Sequence, residues 1–268
     1  MRIALTQMDI VWEDPAANEA TVRRLTAAAE AAGADVVVFP EFTFVGFTKR
    51  PDLFCDTPRQ ARQLEFLRAL SREYAPAIAA GRIVASPTRP RNNLTVVRGG
   101  EVVLSYDKLH SYSHGGEDAV YSRGDRIATV ALAGLELGAF ICYDLRFPEI
   151  FQVAARTAKA IVVIGNWPQE RIENWLTLLR ARALETQTYL IGVNRTGTGG
   201  GIVYGPSSVV FDPAGRRLTP ETGDELLCCE IDGTVVDAVR EGFPLRRDRR
   251  DDLYAAWLFR DPAHGRIG

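Results

Sequence analysis

Cysteine and histidine are scarce in this chain, with four of the first and three of the second among 268 residues. Cys55, Cys142, Cys228 and Cys229 form no CxxC pair, and the scattered histidines offer no ligand spacing, so no metal site is expected. Cys228 and Cys229 are adjacent in the strand-like run LLCCEID. Neighbouring side chains of a strand face opposite ways, which makes the two poor disulfide partners. Free thiols fit a reducing compartment, and a cytoplasmic location is expected. A basic surplus is also missing: 32 Lys and Arg stand against 34 Asp and Glu. Phosphate backbones and anionic membranes are therefore poor candidates for the main partner, and neither nucleic acid nor membrane is expected to bind. No apolar run approaches the roughly 18 residues that span a bilayer, and MRIALTQMDIVWED reaches acidic residues too soon for a secretory leader.

What is present is ordinary for a globular protein. Apolar residues make up 46% and charged residues 25%, values that argue against disorder and against a disulfide-stapled miniprotein. At about 150 residues per domain the length falls between one domain and two. No repeat, low-complexity tract or Pro/Ser-rich linker divides the chain, so one α/β domain over residues 1–268 is expected.

The pattern alternates between strand and helix. RIALTQMD reads as a strand, Asn18 to Ala32 as a helix ended by Gly33, and VVVF at 36–39 as a buried strand. A second helix fits Pro58 to Tyr74. IAAGRIVAS then reads as a strand, and NLTVVR and EVVLSYD as a hairpin about Gly99 and Gly100. LELGAFICY is strand-like, Pro148 suits the first turn of helix EIFQVAARTAKA, and AIVVIGN follows as a strand. An amphipathic helix from about Glu170 to Thr188 leads into strand YLIGVN, and SSVVFD-PAG-RRL with ELLCCEID is expected to close as an antiparallel hairpin. Parallel and antiparallel strands together imply mixed sheets covered by helices, packed face to face. The mixed-sign run RRDRRDD at 246–252 reads as a solvated or interface segment.

Three ionisable residues share one kind of address. Glu41 follows VVVFP, Lys108 follows EVVLSYD, and Cys142 closes LGAFIC; each stands just past an apolar strand, on the edge where open α/β sheets bind ligands. A thiol there needs something to take its proton, because free cysteine is only a few per cent thiolate at neutral pH. Glu41 can accept that proton, and Lys108 can stabilise the thiolate and later an oxyanion. Singly, each residue has a plain structural explanation: a buried small hydrophobe, a turn cap, a solvated lysine. The joint pattern is what argues for chemistry. A Cys–His scheme through His110 would leave Glu41 and Lys108 unused.

FPEF at 39–42, YDKLH at 106–110 and CYDLRFPE at 142–149 closely resemble the nitrilase, or carbon-nitrogen hydrolase, superfamily. The order Glu, Lys, Cys and the spacings of 67 and then 34 residues agree, and the likeness continues through GNWP at 165–168 and RARALETQTYLIGVNR at 180–195. The resemblance implies a four-layer α-β-β-α sandwich, no metal or organic cofactor, and hydrolysis of a non-peptide C–N bond through a thioester. It also implies roles. Cys142 matches the nucleophile, Glu41 the general base, and Lys108 with the Tyr143 backbone N–H the oxyanion donors. Glu117 matches a second glutamate that orients Lys108 or the attacking water. A homodimer or larger assembly is implied as well.

YDLRFPE with GGE, GNWP, RARALETQ and VNR looks most like the omega-amidase branch, which acts on 2-oxoglutaramate. Such a substrate carries a carboxylate remote from its amide, and a guanidinium is the best partner for it. Arg146 is the first candidate, with a structural ion pair to Asp144 or Glu149 as the competing role; Arg171 and Arg195 are second contacts. Phe44, Phe47 and Trp167 are candidate apolar walls, and Asn166 shapes the same loop. Amidases of deaminated glutathione share CYDLRFPE, and N-carbamoyl amino acid hydrolases are a third option. Trp-Glu, which usually follows the cysteine in true nitrilases, is replaced here by Tyr143 and Asp144. A non-catalytic binding module is the contrasting alternative, with Cys55, Cys228 and Cys229 inert in either case.

Overall fold

Alternation along the first strand sets the layers. In β1 (Arg2–Thr6), Ile3 and Leu5 face one side and Ala4 the other, and all three are buried. A strand apolar on both faces must be covered on both. The computed structural model describes residues 1–55, 57 and 61–258. After β1 come α1 (Pro15–Ala31), β2 (Val36–Val38), α2 (Arg62–Glu73), β3 (Ala77–Val84), β4 (Arg91–Arg98), β5 (Glu101–Asp107), α3 (Glu117–Val120), β6 (Thr129–Leu132), β7 (Leu135–Ile141) and α4 (Pro148–Ala154). The chain continues through β8 (Ala160–Gly165), α5 (Ile172–Thr186), β9 (Tyr189–Asn194), β10 (Gly197–Gly199), β11 (Ile202–Tyr204), β12 (Val209–Phe211), β13 (Leu226–Glu230), α6 (Gly233–Gly242) and α7 (Asp251–Leu258).

One sheet has the order β13-β1-β2-β3-β4-β5, the other β12-β9-β8-β7-β6, and β10-β11 form a separate ribbon. Strands β1 to β3 are mutually parallel, as are β7 to β9, with antiparallel strands at the flanks. The sheets pack face to face through Leu5, Val38, Ala79 and Leu94 of the first and Leu137, Ala139 and Val162 of the second. Helices α1 and α2 cover the outer face of the first sheet with Val22, Leu25, Leu67 and Leu70. Phe151, Trp175, Leu179 and Ala183 of α4 and α5 cover the second. The result is a four-layer α-β-β-α sandwich. Among the described residues no helix is long and apolar enough to cross a membrane.

Several boundaries depart from the sequence reading. Helix α1 starts at Pro15, three residues before Asn18, because Asp14 caps it by accepting from the Ala17 N–H at 3.1 Å. Asn18 is buried in its first turn and ties Val11 to the Phe44 carbonyl. Pro58, the expected start of the second helix, and the tail from residue 259 lie outside the described residues. The expected C-terminal hairpin is corrected: SSVVFD and RRL meet across the PAG turn, but LLCCE crosses to the other sheet and pairs with β1, Ile3 opposite Cys229. An edge position beside a buried parallel strand is a better place for this partly apolar run than a second solvent-facing hairpin arm. As expected, Cys228 and Cys229 face opposite layers, and neither is bonded to the other.

Candidate active site

The C-terminal ends of β2, β5, β7 and β8 lie along one edge and deliver, in turn, Glu41, Lys108, Cys142 and Asn166. Glu41 enters by a close crossing. A Cβ at Gly81 would sit 2.4 Å from the Phe42 nitrogen and 2.8 Å from the Glu41 Cα, so only glycine in β3 lets this loop pass. Phe42 takes φ 49° as the chain turns away. Cys142 has φ 50°, a left-handed conformation uncommon for residues with a side chain, at the sharp join between β7 and a 3-10 turn over Cys142–Arg146. Asp144 braces the join, accepting from the Ile141 N–H, the Tyr106 hydroxyl and the His110 N–H at 2.7–3.0 Å.

Lys108 stands between two buried carboxylates. Its Nζ lies 2.9 Å from Glu41 Oε1 and 2.9 and 3.1 Å from the two Glu117 oxygens, and all three side chains are at most 2% exposed. Asn92 Nδ2 repeats the bridge, donating to Glu41 Oε1 at 2.7 Å and Glu117 Oε1 at 2.9 Å. The Tyr112 N–H fixes Glu117 Oε2 at 2.6 Å. Glu41 Oε2 is less occupied, with Asn166 Nδ2 at 3.2 Å. Burial alone would lower the Lys108 ammonium, but Glu117, Glu41 and then Cys142 outweigh it and hold it well above the usual lysine range.

The same balance governs the sulfur. Burial pushes the Cys142 thiol up and Glu41 pushes it further, while Lys108 and the Asn166 backbone N–H pull it down; the outcome is well above the ordinary thiol range. The balance favours the thiol over the thiolate. Cys142 opens into a cavity of about 560 Å³ walled by Trp12, Phe47, Tyr112, Tyr143, Trp167 and Tyr204, with Lys49, Arg50, Arg146 and Arg171 also lining it. Among the described residues Glu13 is the one carboxylate in the lining, and Arg50 and Thr48 already bond it. Among the described residues no cluster of His, Cys, Asp and Glu could hold a metal ion.

The carbon-nitrogen hydrolase family profile matches residues 2–241. The chain belongs to that family. The hydrolase is 30% identical over 263 residues to the omega-amidase YafV of Escherichia coli (strain K12), covering 96% of this chain and 99% of that protein. It is 29% identical over 257 residues to the 2-oxoglutaramate amidase of Bacillus subtilis (strain 168), covering 94% and 98%. Its fold is similar to a mutant of the amidase from Nesterenkonia sp. AN1 that carries the result of Michael addition of acrylamide at the active site cysteine. That likeness has a TM-score of 0.83 at 27% identity, covering 96% of this chain and 99% of the other.

Of the residues singled out from sequence, Glu41, Lys108, Cys142, Glu117 and Asn166 form one cluster, and Tyr143, Arg146, Phe47, Trp167 and Arg171 face the hydrolase cavity with Cys142. Arg146 lies over the Trp167 ring, 4.9 Å from its centroid. Asp144, its candidate ion-pair partner, is bonded elsewhere. Arg171 donates to the Tyr112 hydroxyl at 2.9 Å. His110 stacks on Phe147 at 3.8 Å and its Nδ1 lies 2.9 Å from Asp144, so it is packed as part of the brace.

Two expectations are corrected. Phe44 is absent from the cavity lining and is buried in the core under α1 and α2, edge-on to Phe66 at 6.0 Å, because the turn at Phe42 sends it to the outer face of the sheet. Arg195 is buried behind the wall, donating to the Ile10 carbonyl at 2.7 Å and the Thr196 carbonyl at 3.0 Å, with its guanidinium over the Tyr204 ring at 4.4 Å. It pins the β10-β11 ribbon, whose Tyr204 and Ile202 do line the cavity. Sequence reasoning missed Asn92, whose signal is a polar pair inside strand RNNLTVV. It also missed Asn194, which fixes the Trp167 backbone by accepting from its N–H at 2.8 Å and donating to its carbonyl at 2.9 Å. Trp12, Lys49, Arg50, Tyr112 and Tyr204 stand on loops and the ribbon, with no periodicity to announce them.

Proposed function

We propose that the hydrolase cleaves the amide of a small carboxylate-bearing, 2-oxoglutaramate-like omega-amide, passing through a thioester on Cys142. The observation that carries this reading is the charge of the cavity beside the thiol: among the described residues, Lys49, Arg50, Arg146 and Arg171 against a single, already bonded Glu13. Such a wall attracts an anion, and a guanidinium fork matches a carboxylate. The relatives named omega-amidase and 2-oxoglutaramate amidase support the same class.

In this mechanism Glu41 is the base, and Oε2 is the atom that acts, since Oε1 already accepts from both Lys108 and Asn92. Glu41 takes the Cys142 proton as sulfur attacks the amide carbon, and Lys108 with the Tyr143 N–H holds the resulting oxyanion. The C–N bond then breaks, Glu41 returns its proton to nitrogen, and ammonia leaves a thioester behind. Water gives a proton to Glu41 and attacks the thioester carbon; the C–S bond breaks, sulfur regains its proton, and a carboxylic acid departs. Glu117 holds Lys108 in place and helps seat that water.

A second reading is favoured by size. The cavity equals the bulk volume of about 19 waters at about 30 Å³ each, room for a longer amide such as deaminated glutathione. An ammonia-release panel tests both, with N-carbamoyl amino acids and simple nitriles as contrasts. Preference for 2-oxoglutaramate supports the first reading, preference for deaminated glutathione the second, and carbon dioxide released with ammonia a carbamoylase. No ammonia from any amide favours a binding module. We assign the enzyme to a reducing cytoplasm, which the free thiols of Cys142, Cys228 and Cys229 support, and, on the family resemblance, to a homodimer or larger assembly.

A further inference from the structure

The carboxamide of Asn166 is only half used by the protein. Its Nδ2 donates to the Glu41 carbonyl at 2.7 Å and to Glu41 Oε2 at 3.2 Å, which employs both hydrogens. Its Oδ1 is buried and accepts from no donor among the described residues. Turning the amide over would set Oδ1 against those two acceptor oxygens, so the orientation follows from the contacts. The residue is 8% exposed and lines the cavity, directly after β8 and beside the sulfur. A buried carbonyl without a donor is costly, and on a residue that lines a ligand cavity it is readily explained by a donor that arrives with the ligand.

We propose that Asn166 Oδ1 receives an N–H of the substrate's carboxamide and so selects amides over esters of the same acid. The proposal deepens the amidase reading and rests on Cys142 as nucleophile and Glu41 as proton carrier. Glu41 Oε2 must reach the leaving nitrogen to return a proton to it, so that nitrogen sits beside Oε2. Asn166 Nδ2 touches the same oxygen, which puts the other end of its planar carboxamide next to the leaving group. An amide nitrogen offers hydrogens to both Oε2 and Oδ1. An ester oxygen offers none, and would face Oδ1 as one acceptor against another.

Binding measured by calorimetry in a Cys142→Ala background separates this contact from turnover. The probes are two amide and ester pairs: succinamate with monomethyl succinate, and propionamide with methyl propionate. Adding Asn166→Ala is expected to weaken the amide of a pair about tenfold more than its ester. Because the amide also bonds Glu41 Oε2, which Asn166 Nδ2 holds, the comparison is repeated in a Glu41→Ala, Cys142→Ala background: an amide-selective loss that persists there belongs to Asn166 Oδ1, and one that disappears overturns the proposal. A protein whose melting temperature and circular dichroism match the parent, yet whose amide and ester affinities fall equally or stay unchanged, overturns the proposal. If the effect appears with propionamide while succinamate does not bind, the carboxylate reading fails and the Asn166 assignment stands. If neither amide binds, both are overturned.

Discussion

Lys108 and Glu117 are joined through both carboxylate oxygens, at 2.9 and 3.1 Å, with both side chains sealed from solvent. Glu41 adds a second carboxylate to the same ammonium, so the cluster holds two acids on one base. Removing the base and removing one acid are therefore unequal. Lys108→Met strands two buried carboxylates and is expected to cost about 3–5 kcal/mol of stability. Glu117→Gln leaves Lys108 balanced by Glu41 and keeps an acceptor, at a cost of about 1 kcal/mol. Urea unfolding of both variants checks the order; a larger loss in Glu117→Gln would contradict this charge count.

Glu41→Gln is expected to move two observables in opposite directions. Turnover falls by about 10²–10⁴ because the proton carrier is gone. The thiol, however, loses a negative neighbour that pushes it up. A lowered thiol is deprotonated at lower pH, so the curve of iodoacetamide alkylation against pH shifts to lower pH. An alkylation curve that stays put or moves to higher pH would show that Glu41 does not act on the sulfur. In the wild type the raised thiol predicts slow alkylation at neutral pH that climbs with pH, and no plateau below pH 7.

The cluster of Glu41, Lys108 and Cys142 was legible in the sequence because strand ends are. An apolar run followed at once by Glu41, Lys108 or Cys142 marks the edge where a sheet presents side chains, and that edge depends on local pattern alone. Cavity walls follow a different logic. Trp12, Lys49, Arg50 and Tyr204 come from loops and a ribbon of two three-residue strands, whose position is set by contacts far away in the chain, such as Arg195 reaching Ile10. Phe44 misled because closeness to Glu41 in sequence says nothing of the side to which a turn sends the next residues. LLCCE misled because its pairing with β1 spans nearly the whole chain.

Phe44 and Phe47 separate packing from binding. Phe44→Ala empties a core position and is expected to cost about 3–5 kcal/mol, with KM unchanged in the protein that folds. Phe47, partly exposed to the cavity, is expected to raise KM on replacement by Ala at a smaller cost in stability. Thermal melts and steady-state kinetics check the pair, and a KM effect confined to Phe44 would reverse the correction.

Arg146→Met is expected to raise KM for carboxylate-bearing amides about 10–100-fold with little change in kcat, and to leave neutral amides unaffected. Arg146→Lys should recover only part of the loss, since a point charge cannot reproduce the fork. Equal losses for charged and neutral amides would assign Arg146 to the Trp167 wall alone.

Ammonia release by the Cys142→Ala protein, on whichever amide the wild type prefers, tests the nucleophile directly. The expected result is a fall of about four orders of magnitude with an unchanged melting temperature, because the side chain is small and the cluster behind it is intact. Turnover within tenfold of the wild type would contradict the mechanism at its first step.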